Sequence, residues 1–391
     1  MNLQTLKNID VKGKRVLLRS EFNVPMKGGE ITDDSRIQKS LPTIQYLLSA
    51  GAKLIVCAHL GRPKGKIVEG LRLDAVAERL TELLERAVTK METVVGPEVQ
   101  EASDNLEEGE ILLLENVRFE EGETKGDESL SKQLADLADI YVSDAFGAVH
   151  RAHCSTAGVA KYLPAYAGLL VEKEIKALGG IFENSKSPVV MIVAGSKMET
   201  KVAVIEKFLE IADTIIIGGG IANTFLAAQG YNVGGSLYEE SEFERARRIL
   251  EKDTERKIFF PHDVVVSEEI SDDAQAYNVL LEDVKDNDKI LDMGEESSKD
   301  IQAIIRNAKT VVWNGPVGVY ECAPFAAGTR AIAQAMSESN ADTIVGGGDS
   351  VDAILKFGFS EDQFTHLSTG GGASLEFLEG KELPGVQVLM K

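Results

Sequence analysis

Basic residues and cysteines are both scarce in this chain. Its 391 residues include 42 lysines and arginines against 63 acidic residues, a formal net charge of -21. That balance argues against a surface built for nucleic acid or for an anionic membrane. A pocket for an anionic ligand must then be a local basic exception, which makes any clustering of arginine informative. The three cysteines, Cys57, Cys154 and Cys322, stand far apart with no CxxC or Cys/His metal-ligand spacing. They read as reduced thiols of a cytoplasmic chain. No apolar run approaches membrane-spanning length, and the opening MNLQTLKNIDVKGK lacks the apolar core of a signal peptide. Three fingerprints are missing as well. Without GxxxxGK[ST] there is no P-loop, without GxGxxG a dinucleotide-dependent oxidoreductase is disfavoured, and the HRD and DFG signatures of protein kinases are absent.

What the chain has is enough apolar residue (43%) and enough length to bury large cores, and that length favours two or three domains. Short apolar runs alternate with helical spacing. Arg15 to Arg19, Lys53 to Ala58, Ile111 to Glu115 and Ile140 to Ser143 read as buried strands, with Arg36 to Ala50, Leu73 to Val88 and Ser129 to Asp139 as helices between them. This predicts βαβ units and a parallel sheet with helices on both faces. In such sheets ligands bind beyond the carboxyl ends of the strands, so the residues that follow each strand carry the chemistry.

Those residues form a pattern. The first strand is followed by Glu21, Phe22 and Asn23, the second by His59, Leu60, Gly61 and Arg62, the third by Arg118, and the fourth by His150, Arg151 and His153. Arg36 opens the helix after the first corner. A guanidinium fork matches phosphate and carboxylate, so four arginines gathered at one sheet edge predict a pocket for a small anion carrying both groups. Any one of them alone is more simply a surface ion pair. His150 and His153, three apart, lack the acidic or thiol partners a metal site needs.

A connector with helical spacing, Leu169 to Phe182, opens a second half in which strands end on glycines. The stretch VVMIVAGSKMETK reads as a strand, Val189 to Val193, that stops at Gly195 and turns directly into a helix bearing Lys197 and Lys201 on one face. Strand-then-glycine recurs at Gly218 to Gly220, at Asn314 to Pro316, at Gly346 to Gly348 and at Gly370 to Gly372. Successive glycines let backbone amides approach a phosphate or a base. One triplet alone is usually a tight turn, but several at corresponding strand ends predict a nucleotide cleft. Asp349, after Gly348 at a helix start, is by itself most simply an N-cap, but beside a polyphosphate it could hold Mg²⁺, and Glu321 could accept from ribose hydroxyls.

Taken in order, RSEFNVP with TDDSRI, HLGRP, ENVRF, DAFGAVHRAH, GSKMETK, GGGIANTF, WNGPVGVYE, GGGDS and STGGGASLEFLEGKELPG closely resemble the phosphoglycerate kinases, from about Gly13 to the end of the chain. The resemblance implies an α/β fold of two doubly wound, Rossmann-like parallel-sheet lobes. It implies an N-terminal lobe (1–168) for 3-phosphoglycerate, a hinge helix (169–183), a C-terminal lobe (184–372) for the magnesium nucleotide, and a final segment (373–391) that returns to the N-terminal lobe. The activity implied is a phosphotransfer to a carboxyl acceptor: reversible exchange between ATP and 3-phosphoglycerate giving ADP and 1,3-bisphosphoglycerate, in glycolysis and gluconeogenesis. By motif position, acid-binding residues fall on Glu21, Phe22, Asn23, Arg36, His59, Leu60, Gly61, Arg62, Arg118 and Arg151. Nucleotide-binding residues fall on Gly195, Lys197, Lys201, Gly219, Asn314, Pro316, Glu321, Gly347, Gly348, Asp349 and Ser350. Arg36, Lys197, Gly371 and Gly372 are the expected catalytic groups, and Asp349 the metal ligand. The chain departs from the family pattern at Ser20-Glu21, where Val-Asp is usual, at Ala194 and Met198, and at Ser350 in place of threonine. Glu21 is still expected to accept the glycerate hydroxyl. A monomer without nucleic-acid or membrane partners is expected, and a catalytically impaired relative acting as a nucleotide-binding or scaffold protein is the second reading.

The mechanism expected from this is charge neutralisation. The acceptor carboxylate, with an ordinary pKa near ~3.5, is already a nucleophile at neutral pH and needs no base. The barrier lies in bringing two anions together, which closure of the lobes would accomplish while expelling water.

Overall fold

A computed structural model describes residues 2–391, with the side chain of Asn8 outside the description. The chain divides into two compact units, one made of the residues up to Lys176 together with Glu382–Lys391, the other of Ala177–Lys381. The division falls inside the helix Leu169–Asn184. The returning segment therefore starts at Glu382, later than Gly372, and the helix Gly372–Leu378 counts with the second unit.

Six parallel strands form the sheet of the first unit, in the spatial order Thr89–Lys90, Ile111–Leu113, Lys53–Cys57, Arg15–Ser20, Ile140–Asp144, Ala165–Ala167. The central strands are buried along nearly their whole length, which is why their sequences are continuous apolar runs instead of alternating ones. The helix Ser35–Ser49 turns Ile37, Ser40, Thr43, Ile44 and Leu47 inward, the spacing of one helical face. Val16, Leu18, Ile37, Ile44, Leu54 and Val56 belong to one buried cluster, and each such aliphatic side chain contributes roughly 1.5–3 kcal/mol.

The second unit repeats the plan with another order: Ile258–Phe259, Thr214–Ile217, Val189–Val193, Thr310–Asn314, Asp342–Gly346, His366–Leu367, all parallel. Numbered along the chain this is 3-2-1-4-5-6, the doubly wound order whose ligand crevice lies between the first and fourth strands, where the winding reverses. Trp313 fills the core there and its indole N–H donates to the Gly315 carbonyl at 2.7 Å. A three-stranded antiparallel sheet, Tyr277–Leu280, Asp263–Ser267, Lys289–Met293, is an addition the sequence did not suggest.

One sequence expectation is corrected. Val189–Val193 does not turn directly into a helix, because the next helix is Val202–Leu209, with Lys201 at its N-cap position. Lys197 thus lies on the intervening loop and shares no helical face with Lys201. The loop has long-range causes. The carboxylate of Glu239 accepts the N–H groups of Met198 and Glu199, and the Met198 side chain is fully buried.

Candidate functional site

In the first unit the sheet reverses direction around Arg15–Ser20, which has Lys53–Cys57 on one side and Ile140–Asp144 on the other. The residues just beyond these strand ends are linked. Arg36 Nη1 lies 3.3 Å from Glu21 Oε1 and donates to the Asn23 carbonyl at 3.0 Å. Asn23 Oδ1 accepts from the Gly61 N–H at 2.8 Å, and Arg118 Nη1 donates to the Gly61 carbonyl at 2.7 Å. Glycine is favoured at this crossing, since the φ of Gly61 is +64° and a Cβ would stand 2.7 Å from Leu71 Cδ2 and push that side chain aside. Asn116 pins the same turn through both Leu60 main-chain groups and the Arg118 N–H.

Arg118 is 8% exposed. Burial, with Arg19 and Arg151 nearby, brings its pKa down to about 10 against the pull of Glu21 and Glu123. Arg151 donates from Nε to His150 Nε2 at 3.0 Å. These groups repel one another, and a bound anion relieves the repulsion. The histidines add no charge: burial and the same arginines hold His59 well below the usual imidazole range, lower His150, and bring His153 to about 4. Positive charge here is therefore guanidinium charge. Phe22 and Leu60 point into the core cluster, so only their main chain is available to a ligand. Arg62 follows Gly61 and is exposed.

Glu21 is nearly buried, and its Oε2 has no hydrogen-bond partner among the described residues. A buried acceptor without a partner is costly unless a ligand supplies the proton.

The second unit contains a cavity of about 600 Å³ at the carboxyl ends of its central strands. Gly195, Gly218, Gly219, Pro316, Glu321 and Asp349 line it. Here the backbone comes close to itself. Gly315, at φ +97°, leaves room for no side chain, as a Cβ would meet the Ala194 carbonyl oxygen at 1.9 Å. Lys201 is half-buried beside Asn314, to whose Oδ1 its ammonium donates. Burial lowers its pKa to about 8, opposed by Asp349 and Glu379. Asn314 Nδ2 is itself buried and unpartnered among the described residues. Gly347 lies against that amide, and Ser350 Oγ accepts from the Gly315 N–H at 2.7 Å. Gly348 and Asp349 open the helix Gly348–Lys356, so free N–H groups and a carboxylate occur together. Lys197 is exposed on its loop. Gly371, at φ +52°, caps the helix that starts at Gly372.

Among the described residues no group of three or more His, Cys, Asp or Glu is arranged to hold a metal. Mg²⁺ is commonly held by one or two carboxylates plus substrate phosphates, and Asp349, Glu321 and Asp292 are carboxylates that line the cavity. No helix among the described residues is long and apolar enough to cross a membrane.

Sequence reasoning passed over Arg19, Glu115, Asn116, Glu123 and Ser155, all buried around the first site. The available signal was an arginine inside the apolar run RVLLRS.

The sequence model of one family, described as phosphoglycerate kinase, matches residues 6–381. The structure of phosphoglycerate kinase from Coxiella burnetii superposes with a TM-score of 0.91 at 43% identity, covering 99% of this chain and 98% of that one. Phosphoglycerate kinase from Pyrococcus horikoshii OT3 gives a TM-score of 0.86 at 33% identity, again covering 99% and 98%.

Proposed function

This chain belongs to the phosphoglycerate kinase family, and we propose from that premise how its two sets of residues divide the reaction. The activity is reversible phosphoryl transfer between ATP and the carboxylate of 3-phosphoglycerate. Arg36, Arg62, Arg118 and Arg151 hold the acid, with main-chain and side-chain groups of Phe22, Asn23, His59, Leu60 and Gly61 around it. Glu21 accepts the glycerate hydroxyl on its unpartnered Oε2. The nucleotide lies in the glycine-lined cavity, with Gly195, Gly219, Asn314, Pro316, Gly347, Gly348 and Ser350 shaping it and Glu321 taking the ribose. Lys201 and Lys197 attend the phosphates, and Asp349 holds Mg²⁺, which supplies charge neutralisation to the phosphates when bound.

The observation that carries this division is the contrast in charge. The acid side gathers guanidinium groups that repel one another until an anion arrives, and it contains no strong general base among its histidines, whose pKa values burial and the arginines push down. None is required, because the attacking carboxylate is already ionised. Arg36, Lys197 and the amides of Gly371 and Gly372 instead stabilise charge on the moving phosphoryl group. The acid and nucleotide residues stand in different compact units, so transfer requires those units to bring the two substrates into line, with the helix Leu169–Asn184 as the connecting element. The chain acts as a cytoplasmic monomer in this proposal. A coupled assay for ADP-dependent ATP formation from 1,3-bisphosphoglycerate tests it directly. Turnover is expected, and its absence in folded, nucleotide-binding protein would return the impaired, scaffold-like reading.

A further inference from the structure

Beneath the arginines runs a buried chain of polar groups that the acid-binding reading leaves unused. Glu123, on the short turn Glu123–Lys125, is wholly buried. Both of its oxygens face Ser155: Oε2 accepts the backbone N–H at 3.0 Å and Oε1 the hydroxyl at 2.6 Å. The Ser155 hydroxyl in turn accepts from Arg19 Nε at 3.0 Å. Arg19, 1% exposed, donates through Nη2 to His59 Nδ1 at 2.7 Å and through Nη1 to the Ser20 carbonyl. Every link has a fixed direction. The hydroxyl has a single proton, committed to the carboxylate, so it can only accept from Arg19. A guanidinium only donates, so His59 Nδ1 must be an acceptor and the ring proton must sit on Nε2.

We propose that Glu123 is a positioning residue for acid binding, acting through Ser155 to hold Arg19 in place and through Arg19 to fix His59 as a neutral ring that donates from Nε2. The inference rests on the acid-binding reading and adds to it a group that no substrate can touch. Glu123 also compensates a buried cation: burial pushes its carboxyl pKa up, but Ser155 and Arg19 pull it back, and both of its oxygens act as acceptors. Without a partner carboxylate, Arg19 would press on Arg118 with nothing behind it, and an unpaired buried charge is expensive. Glu21 cannot serve in its place, since it already lies beside Arg36 at the site itself. The groups that face His59 are Arg19, Arg118, Arg151 and His153, and all four favour the neutral ring. Glu123 faces Ser155, Arg19, Arg118 and, at 3.7 Å from its Oε1, His153 Nδ1.

The test compares Glu123→Gln and Ser155→Ala with the parent enzyme. A support that merely aids folding would lower the melting temperature and leave the surviving activity evenly scaled. Positioning predicts a split instead: KM for 3-phosphoglycerate rises roughly tenfold, the order expected for a misplaced charged hydrogen bond, while KM for ATP is unchanged. It also predicts a spectroscopic change. In the parent the His59 ring proton is held on Nε2 by the Arg19 donor at Nδ1, and ring-nitrogen spectra of both variants should show a mixture of tautomers as Arg19 leaves Nδ1. Equal changes in both KM values, or an unchanged His59 tautomer in the variants, would overturn the proposal. Should Glu123→Gln fail to fold, Ser155→Ala removes one oxygen and gives the same readouts. A parent enzyme without turnover would defeat the acid-binding reading itself, whereas an active parent with unaltered variants defeats this inference alone.

Discussion

In the first sheet the residues beyond the strand ends carry guanidinium groups, whereas in the second they are mostly glycines. The strand orders differ, but both sheets bring their central corners to one edge, so the difference lies in what each corner offers. A small acid with a phosphate and a carboxylate gives few points of contact, and forked side chains suit it. A polyphosphate is longer, and close-set backbone amides at successive turns follow it better. The first site should therefore be sensitive to charge and the second to shape.

Lys197 offers the largest test of that contrast, because it is a side chain proposed to act on the side governed by backbone. Lys197→Ala is expected to lower kcat by roughly 100-fold to 1000-fold, the usual loss for one donor to a transition-state anion. Nucleotide binding should be largely kept, because the cavity lining of Gly195, Gly218 and Gly219 is untouched. Steady-state kinetics with ATP titrated at saturating acid would show this, and near-normal turnover would remove Lys197 from the reaction.

Next in size is Arg118→Ala. Its guanidinium is bound to the Gly61 carbonyl and opposed by Arg19 and Arg151. KM for 3-phosphoglycerate should rise by about 10-fold to 100-fold, in line with a lost hydrogen bond to a charged group. KM for ATP should not move. Arg118→Lys should recover little, since an ammonium cannot reproduce the fork.

Shape sensitivity is read at two glycines. Gly315→Ala meets main chain, the Ala194 carbonyl, at a positive φ, whereas Gly61→Ala meets the movable end of the Leu71 side chain. Strain of this kind costs about 1–3 kcal/mol, and the Gly315 variant should lie at or beyond the upper end. Thermal melts of the two variants rank them, and a smaller loss at Gly315 would contradict the close-packed corner.

The sequence disclosed elements better than their arrangement. Strands such as Val189–Val193 were legible because strands buried on both faces are continuous apolar runs. The spatial order of the strands was not, since no local pattern encodes which neighbours pair. The antiparallel sheet was missed because Tyr277–Leu280 is short and mostly exposed, so it lacks an apolar signature. The helix assigned to Lys197 failed because the group that captures the Met198 N–H, Glu239, lies 41 positions away. At the acid site the arginines beyond the strands were visible, but Arg19 meets Ser155 across 136 positions. A buried polar network of that span has no counterpart in spacing.

Lys201 gives the smallest expected effect and tests a point where the two sites differ in kind. It is a half-buried cation with a lowered pKa, about 8, beside Asn314. An unfolded lysine titrates near ~10.4, so between the two values the unfolded chain holds a proton that the folded chain lacks. The burial penalty is therefore full below pH 8 and is relieved as pH rises through that window. Ligand binding acts in the opposite sense. A phosphate near the ammonium favours its charged form, so magnesium nucleotide should draw in a proton when it binds just above the pKa. Calorimetry in two buffers of different ionisation enthalpy measures that uptake, which should vanish at neutral pH, where Lys201 is already charged. It should also vanish in Lys201→Met, which keeps most of the packing. The same uptake in that variant would assign the proton elsewhere and leave Lys201 a packed cation beside Asn314, with no part in reading the phosphates.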